Sequence, residues 1–120
     1  MAWRFEKIHA RFKDGWTSKE LIWYKTGYDE VKNTHPEVET HFAMIRETIE
    51  NPQRIKQDAD YDNRLCYYTL YAEKDAYKGQ YMKVVIQKSI WGPRVVTAYF
   101  TINLKEGEEL KWSHPQWKKR

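Results

Sequence analysis

The stretch Val95-Val96-Thr97-Ala98-Tyr99-Phe100-Thr101-Ile102 reads as a β-strand, because it is dense in β-branched and aromatic residues. Side chains alternate along a strand, so Val95, Thr97, Tyr99 and Thr101 are expected on one face and Val96, Ala98, Phe100 and Ile102 on the other. The second set is apolar and suits a core. The first carries two hydroxyls and a phenol, groups able to hold a phosphate or pass a proton. Residues 64–71 and 80–88 have the same strand character, with short links around 73–79 and 89–93. Sequential strands joined in this way form an antiparallel meander.

Upstream, Val38, Phe42, Ile45 and Ile49 recur at helical spacing and make one apolar stripe, which predicts an amphipathic helix from about Pro36 to Glu50. Thr34 and Glu37 have the spacing of a capping box, and Pro36 suits a first helical turn. Asn51-Pro52 ends the helix, since the residue before proline is pushed out of the α region. Residues 28–34 read as a short helical approach. Residues 3–12 and 19–25 read as two strands about the turn Asp14-Gly15, and the polar, acidic residues 53–63 read as a loop. The expected fold class is α+β, an antiparallel β-sheet with a main amphipathic helix packed on one face. One domain is expected over residues 1–112, followed by a basic tail over 113–120.

If the helix covers Val96, Phe100 and Ile102, then Met82, Val84 and Ile86 are their core partners on the neighbouring strand. Tyr81, Lys83, Val85 and Gln87 then share an open face with Thr97 and Tyr99, and one hairpin register sets Lys83 across from Tyr99.

The chain of 120 residues has a formal net charge of +4, distributed as +3 over residues 1–27, −4 over 28–60 and +5 over 61–120. The last segment is therefore the part suited to a polyanion. Six Trp and nine Tyr can pack a sheet and also stack on bases. A lone cysteine, Cys66, supplies no disulfide framework and is expected as a small buried hydrophobe in a reducing, cytoplasmic setting. No apolar run is long enough to span a bilayer, and the charged start Met1–Glu6 is unlike a secretory leader, so no membrane partner is expected. His35 and His41 are six residues apart, which does not place both on one helix face, so neither a metal site nor a cofactor is expected.

These residue types fit RNA cleavage by the 2′-hydroxyl. Such a reaction needs a base for that proton, groups that hold the phosphorane oxygens, and an acid for the leaving oxygen. Histidine as a residue type does proton work near neutral pH. His35 is the candidate base or acid, Thr97 and Tyr99 are candidate phosphate ligands, and Arg64 and Lys83 are candidate charge-stabilising groups. A non-catalytic RNA-binding or partner-binding domain of the same fold is the alternative.

Three segments carry a resemblance. Residues 35–55, HPEVETHFAMIRETIENPQRI, residues 63–71, NRLCYYTLY, and residues 83–103, KVVIQKSIWGPRVVTAYFTIN, are similar in motif and order to the phage-associated nuclease-like domains of the barnase–EndoU–colicin–RelE group. The resemblance spans roughly residues 20–112. It implies a metal-independent endoribonuclease fold, a toxin-like role with a cognate inhibitor protein as a partner besides RNA, and active-site positions at His35, Thr97 and Tyr99. It also points to substrate-binding positions around Arg64, Lys83, Gln87 and Lys88. The chain departs from the pattern at Glu30, where relatives carry a further histidine. It departs again at Thr69 and Gln87, where they carry basic residues.

Overall fold

Each strand-forming run finds a neighbour whose pattern complements its own. The computed structural model describes residues 6–115. The strands β1 (Ile8–Lys13), β2 (Glu20–Tyr24), β3 (Arg54–Gln57), β4 (Arg64–Leu70), β5 (Tyr81–Gln87), β6 (Arg94–Thr101) and β7 (Glu109–Ser113) form one sheet of order β1-β2-β6-β5-β4-β3-β7. The helices α1 (Lys25–Thr34), α2 (Glu37–Thr40) and α3 (Phe42–Glu50) lie between β2 and β3 in the chain. The class is α+β, but the sheet is mixed rather than wholly antiparallel. The β1–β2 hairpin docks on the edge of β6 in parallel, touching at the single register Ile22↔Arg94. From there α1 packs along β6, β1 and β2.

The three strands at 64–71, 80–88 and 94–102 form within a residue or so of their expected bounds. Residues 3–5 of the first expected strand lie outside the described residues, and the remainder pairs with β2 around the Asp14-Gly15 turn. Further expectations are corrected. The helix from Pro36 to Glu50 is broken at His41, whose backbone takes φ −117° and ψ 32°. The capping box does not form: Thr34 Oγ1 donates to the Val31 carbonyl at 3.2 Å, and Pro36 occupies the N-cap of α2 without a side-chain cap. Residues 53–63 are not all loop, because β3 runs between β4 and β7. With Ile55 as its lone apolar residue, β3 has no periodic signal of its own. The last strand carries the sheet past residue 112, and the His114 N–H donates to the Gln53 carbonyl at 2.8 Å.

A β-bulge decides the faces of β6. Val85 opposes Thr97 and Ile86 opposes Val95, which leaves Val96 as the extra residue. Such an insertion resets the alternation. Val95 therefore turns to the helix side with Ala98 and Phe100, and joins a core containing Val84, Ile86, Met82, Val38, Ile45 and Ile49. Val96, expected in that core, packs instead on the opposite face against the cluster of Cys66, Tyr68 and Val85. Ile102, also expected inside, lies beyond the end of β6 and is 70% exposed. The expected juxtaposition of Lys83 and Tyr99 holds.

The apolar stripe behaves as its spacing predicts: Val38, Ile45 and Ile49 are completely buried, and Phe42 is half-buried in a stack with Trp23. Truncating Ile45 removes a side chain with no solvent exposure from the junction of α3 with the sheet. Ile45→Ala should cost about 2–5 kcal/mol in urea unfolding. Ile90→Ala, at the exposed tip of the β5–β6 hairpin, should stay within about 0.5 kcal/mol of the parent.

Candidate active site and nucleic-acid interface

The face of the sheet away from α3 is defined by register. Across β3, β4, β5 and β6 it carries Arg54 and Lys56, then Arg64, Cys66 and Tyr68, then Tyr81, Lys83, Val85 and Gln87, then Arg94, Thr97 and Tyr99. It is basic and aromatic, as the sequence suggests, but it is not open throughout. Leu104 packs over Cys66, Tyr68 and Val85, and Glu108 reaches down between β4 and β5. Cys66, Tyr68, Lys83 and Val85 are buried, while the flanking residues, the β6 side among them, stay partly accessible.

There His35, at the C-terminus of α1, lays its ring on Tyr99, with centroids 5.1 Å apart and planes inclined by 21°. Its Nδ1 lies 3.6 Å from the Glu37 carboxylate, which is itself almost buried. Among the described residues Nε2 has no hydrogen-bond partner. Glu37 thus lies beside the histidine rather than capping a helix. Thr97 sits one side-chain repeat from Tyr99 on the same face, half-buried.

His41 offers a contrast. Its Nε2 meets Asp75 at 3.0 Å, and its Nδ1 meets Thr40 Oγ1 at 2.9 Å and the Glu37 carbonyl at 3.2 Å. Tyr71 donates its hydroxyl to the same Asp75 carboxylate. Hydrogen bonds from Tyr71, the Tyr77 N–H and His41 hold Asp75 below the usual carboxylate range. Both ring nitrogens are engaged, so His41 pins the helix break to the loop after β4 and has no nitrogen left for proton transfer.

Lys83 does not lie where an open cation is expected. It is 4% exposed, and its ammonium donates to Glu108 Oε2 at 2.9 Å, while Tyr68 donates to the other carboxylate oxygen. The ammonium also lies 5.8 Å from the Tyr99 ring centre, within cation–π range. Burial alone would lower the Lys83 ammonium, but the Glu108 hydrogen bond and neighbouring acidic groups outweigh it and raise it above 10.5. Glu108, 25 residues downstream, is the group that sequence spacing could not reveal.

Arg64 and Gln87 form a separate group. Arg64 Nε donates to Gln87 Oε1 at 3.1 Å, and its guanidinium lies 4.1 Å from the Tyr61 ring centre. With Arg94 and Glu30 they line a hollow of about 250 Å³. Gln87 is four residues along β5 from Lys83, roughly 13 Å at the usual rise per residue. Lys88 is not brought to either group; it lines a cavity with Leu65, Tyr67 and Ile86, which face the core side. Thr69 is buried opposite Met82 on the core side.

Asp58, Cys66 and Glu108 bring one ligand atom each within 4.8 Å of one another, a cluster no sequence motif announces. The Lys83 ammonium already answers the Glu108 charge. Asp58 accepts from the Asp60 and Tyr61 N–H groups and the Cys66 thiol. Burial pushes Asp58 up, but these hydrogen bonds outweigh it and hold the carboxyl below its ordinary value. Burial pushes the Cys66 thiol up to about 12, so it is not a ready nucleophile. No protein-family model, curated protein or solved structure matches this chain. No helix among the described residues is long and apolar enough to cross a membrane.

The buried ion pair makes a prediction about stability. Glu108→Gln leaves the Lys83 ammonium uncompensated and should cost about 3–5 kcal/mol, whereas the double replacement Lys83→Met/Glu108→Leu should come close to neutral. Chemical denaturation of both variants checks this. Lys83 is raised, so its contribution is complete below pH 10.5 and fades as pH rises through the raised value. Cys66 is raised from 9.0, so it too weakens the fold as pH climbs past 9. Parent stability should therefore fall from about pH 9 upward, and the double variant should fall less steeply.

Proposed function

We propose that this protein is a small metal-independent endoribonuclease that cleaves RNA by 2′-hydroxyl transesterification, as its resemblance to the barnase–EndoU–colicin–RelE group implies. The observation that carries the reading is the His35–Glu37–Tyr99 arrangement. A half-exposed histidine is stacked on a phenol, with one nitrogen toward a carboxylate and the other left for a ligand. In this reading His35 Nε2 takes the 2′-OH proton. The 2′-oxygen forms a bond to phosphorus while the bond to the 5′-oxygen breaks. Tyr99 gives its phenolic proton to the departing oxygen, and Thr97 donates to a non-bridging oxygen. The products are a 2′,3′-cyclic phosphate and a 5′-hydroxyl. Arg64, Gln87 and Arg94 lie along the same face, where the neighbouring backbone of a bound strand would pass. Lys83 acts through Tyr99, since it is buried and already paired.

The same ion pair favours a second reading. The cation nearest Tyr99 has its charge answered by Glu108, so it does not supply the phosphate charge stabilisation that such catalysis uses. A non-catalytic RNA-binding domain would need the basic, aromatic face and not this charge. A cytoplasmic setting and a cognate inhibitor protein belong to the nuclease reading.

Incubation with RNA in EDTA, with mapping of the ends, tests both readings. Cyclic phosphate ends are the expected product, and a 2′-deoxy substitution at the cleavage site should stop the reaction. His35→Ala and Tyr99→Phe should each lower the rate by about 10²–10⁴-fold while remaining folded. Equal cleavage of DNA would rule out transesterification. Salt-dependent RNA binding without cleavage would select the second reading.

A further inference from the structure

On the other side of the sheet, beyond the end of α3, two hydrogen-bonded turns line a cavity of about 490 Å³. One jaw is the turn at residues 14–19. Asp14, 3% exposed, accepts hydrogen bonds from the Tyr67 hydroxyl, Thr17 Oγ1 and the Trp16 N–H. The Gly15 N–H donates to the Ile49 carbonyl at 3.0 Å, and a Cβ at Gly15 would lie 2.0 Å from the Glu50 carbonyl oxygen. The backbone is thus clamped to α3, yet it presents Trp16 with 40% of its surface exposed.

The opposite jaw is the β5–β6 turn. Ser89 Oγ donates to the Gly92 carbonyl at 2.7 Å and accepts from the Trp91 N–H, and Gly92 takes φ 105°. This turn presents Ile90, which is 90% exposed. The floor between the jaws is apolar, made by Leu65, Tyr67 and Ile86. Lys19 and Lys88 also line the cavity, and among the described residues neither ammonium has an ion-pair or hydrogen-bond partner. The one acidic group present, Asp14, has its oxygens engaged by the hydrogen bonds that hold the turn.

We infer that this cavity binds a nucleotide, with the base against Trp16 and Ile90 and the phosphate between Lys19 and Lys88. The cavity is of the size that encloses a small ligand, with an apolar lining and a few polar groups. A planar aromatic group complements the indole and the apolar floor. A phosphate complements two uncompensated ammonium groups, whose charge is more useful to a ligand than to the fold. Two hydrogen-bonded turns hold the jaws before any ligand arrives, which lowers the ordering cost of binding. The site lies on the opposite face from His35 and does not depend on the nuclease reading. Its ligand is a nucleoside phosphate, either free or at the end of a strand.

Isothermal titration of the whole chain with AMP tests the inference, with adenosine and ribose 5-phosphate as the separated halves. Saturable one-to-one binding is expected, with each half weaker than AMP by roughly 10-fold or more. Trp16→Ala and Lys88→Ala should each weaken AMP by a similar factor, and Trp16→Phe should restore most of the loss. His35→Ala should leave AMP binding unchanged. A 5′-phosphorylated pentaribonucleotide that binds more tightly than AMP, with the same dependence on Trp16, would assign the site to strand ends. Tighter AMP would assign it to free nucleotide. Absence of saturable binding at millimolar AMP, or parental affinity in both Trp16→Ala and Lys88→Ala, would overturn the inference. Lys88→Ala leaves every described hydrogen bond of both turns intact, so a folding defect in the tryptophan variant would not blur the result.

Discussion

The extra residue at Val96 sets which side chains β6 buries and which it offers. Without it, strict alternation would place Val95 on the same side as Thr97 and Tyr99, leaving a gap opposite Ile86 in the core. With it, Val95 fills that position, while Thr97 and Tyr99 keep to the other face, opposite Val85 and Lys83. A single backbone insertion thus reconciles two demands along one strand. Packing on the helix side, where α1 and α2 lie over β6, governs Val95, Ala98 and Phe100, and access for His35 governs Tyr99. A one-residue slip elsewhere in the β5–β6 pair would exchange the two faces and lose both.

The second face is then organised by charge. Lys83 is held inside by Glu108 and Tyr68, and Leu104 seals the small cluster around Cys66. Burying this pair ties the segment before β7 to the middle of the sheet, which a surface pair would do weakly. The β6 side stays partly accessible, and there His35 meets Glu37 and Tyr99, with Thr97 further along the same face. The opposite side of the molecule has its own buried carboxylate, Asp14. It holds a turn rather than a cation and frames the Trp16 cavity. The two accessible regions are therefore separated by the sheet.

Much of the fold is legible residue by residue. Long β-branched and aromatic runs at β4, β5 and β6 and the stripe Val38, Ile45, Ile49 are strong because each is set by burial of its own side chains. β3 was illegible because its pairing comes from neighbours on both sides, not from its own pattern: Arg54, Lys56 and Gln57 are polar, and backbone hydrogen bonding to β4 and β7 defines the strand. The break at His41 was hidden for a similar reason. Nothing in the helical spacing opposes continuity there, and the ring's contacts with Asp75, Tyr71 and Phe100 come from residues 30 or more positions away.

The candidate site divides in the same way. The sequence by itself placed His35, Thr97 and Tyr99 in a basic, aromatic α+β domain and offered the pairing of Lys83 with Tyr99 as one allowed register; the bulge at Val96 is what realises that register. Tertiary structure alone decided that His35 reaches Tyr99 and that Glu37 faces the histidine. It also decided that Glu108 takes the Lys83 charge and that Lys88 belongs to another surface. Those outcomes depend on where helices and loops land on the sheet. That placement is the sum of many burial and desolvation energies, and no single segment carries it.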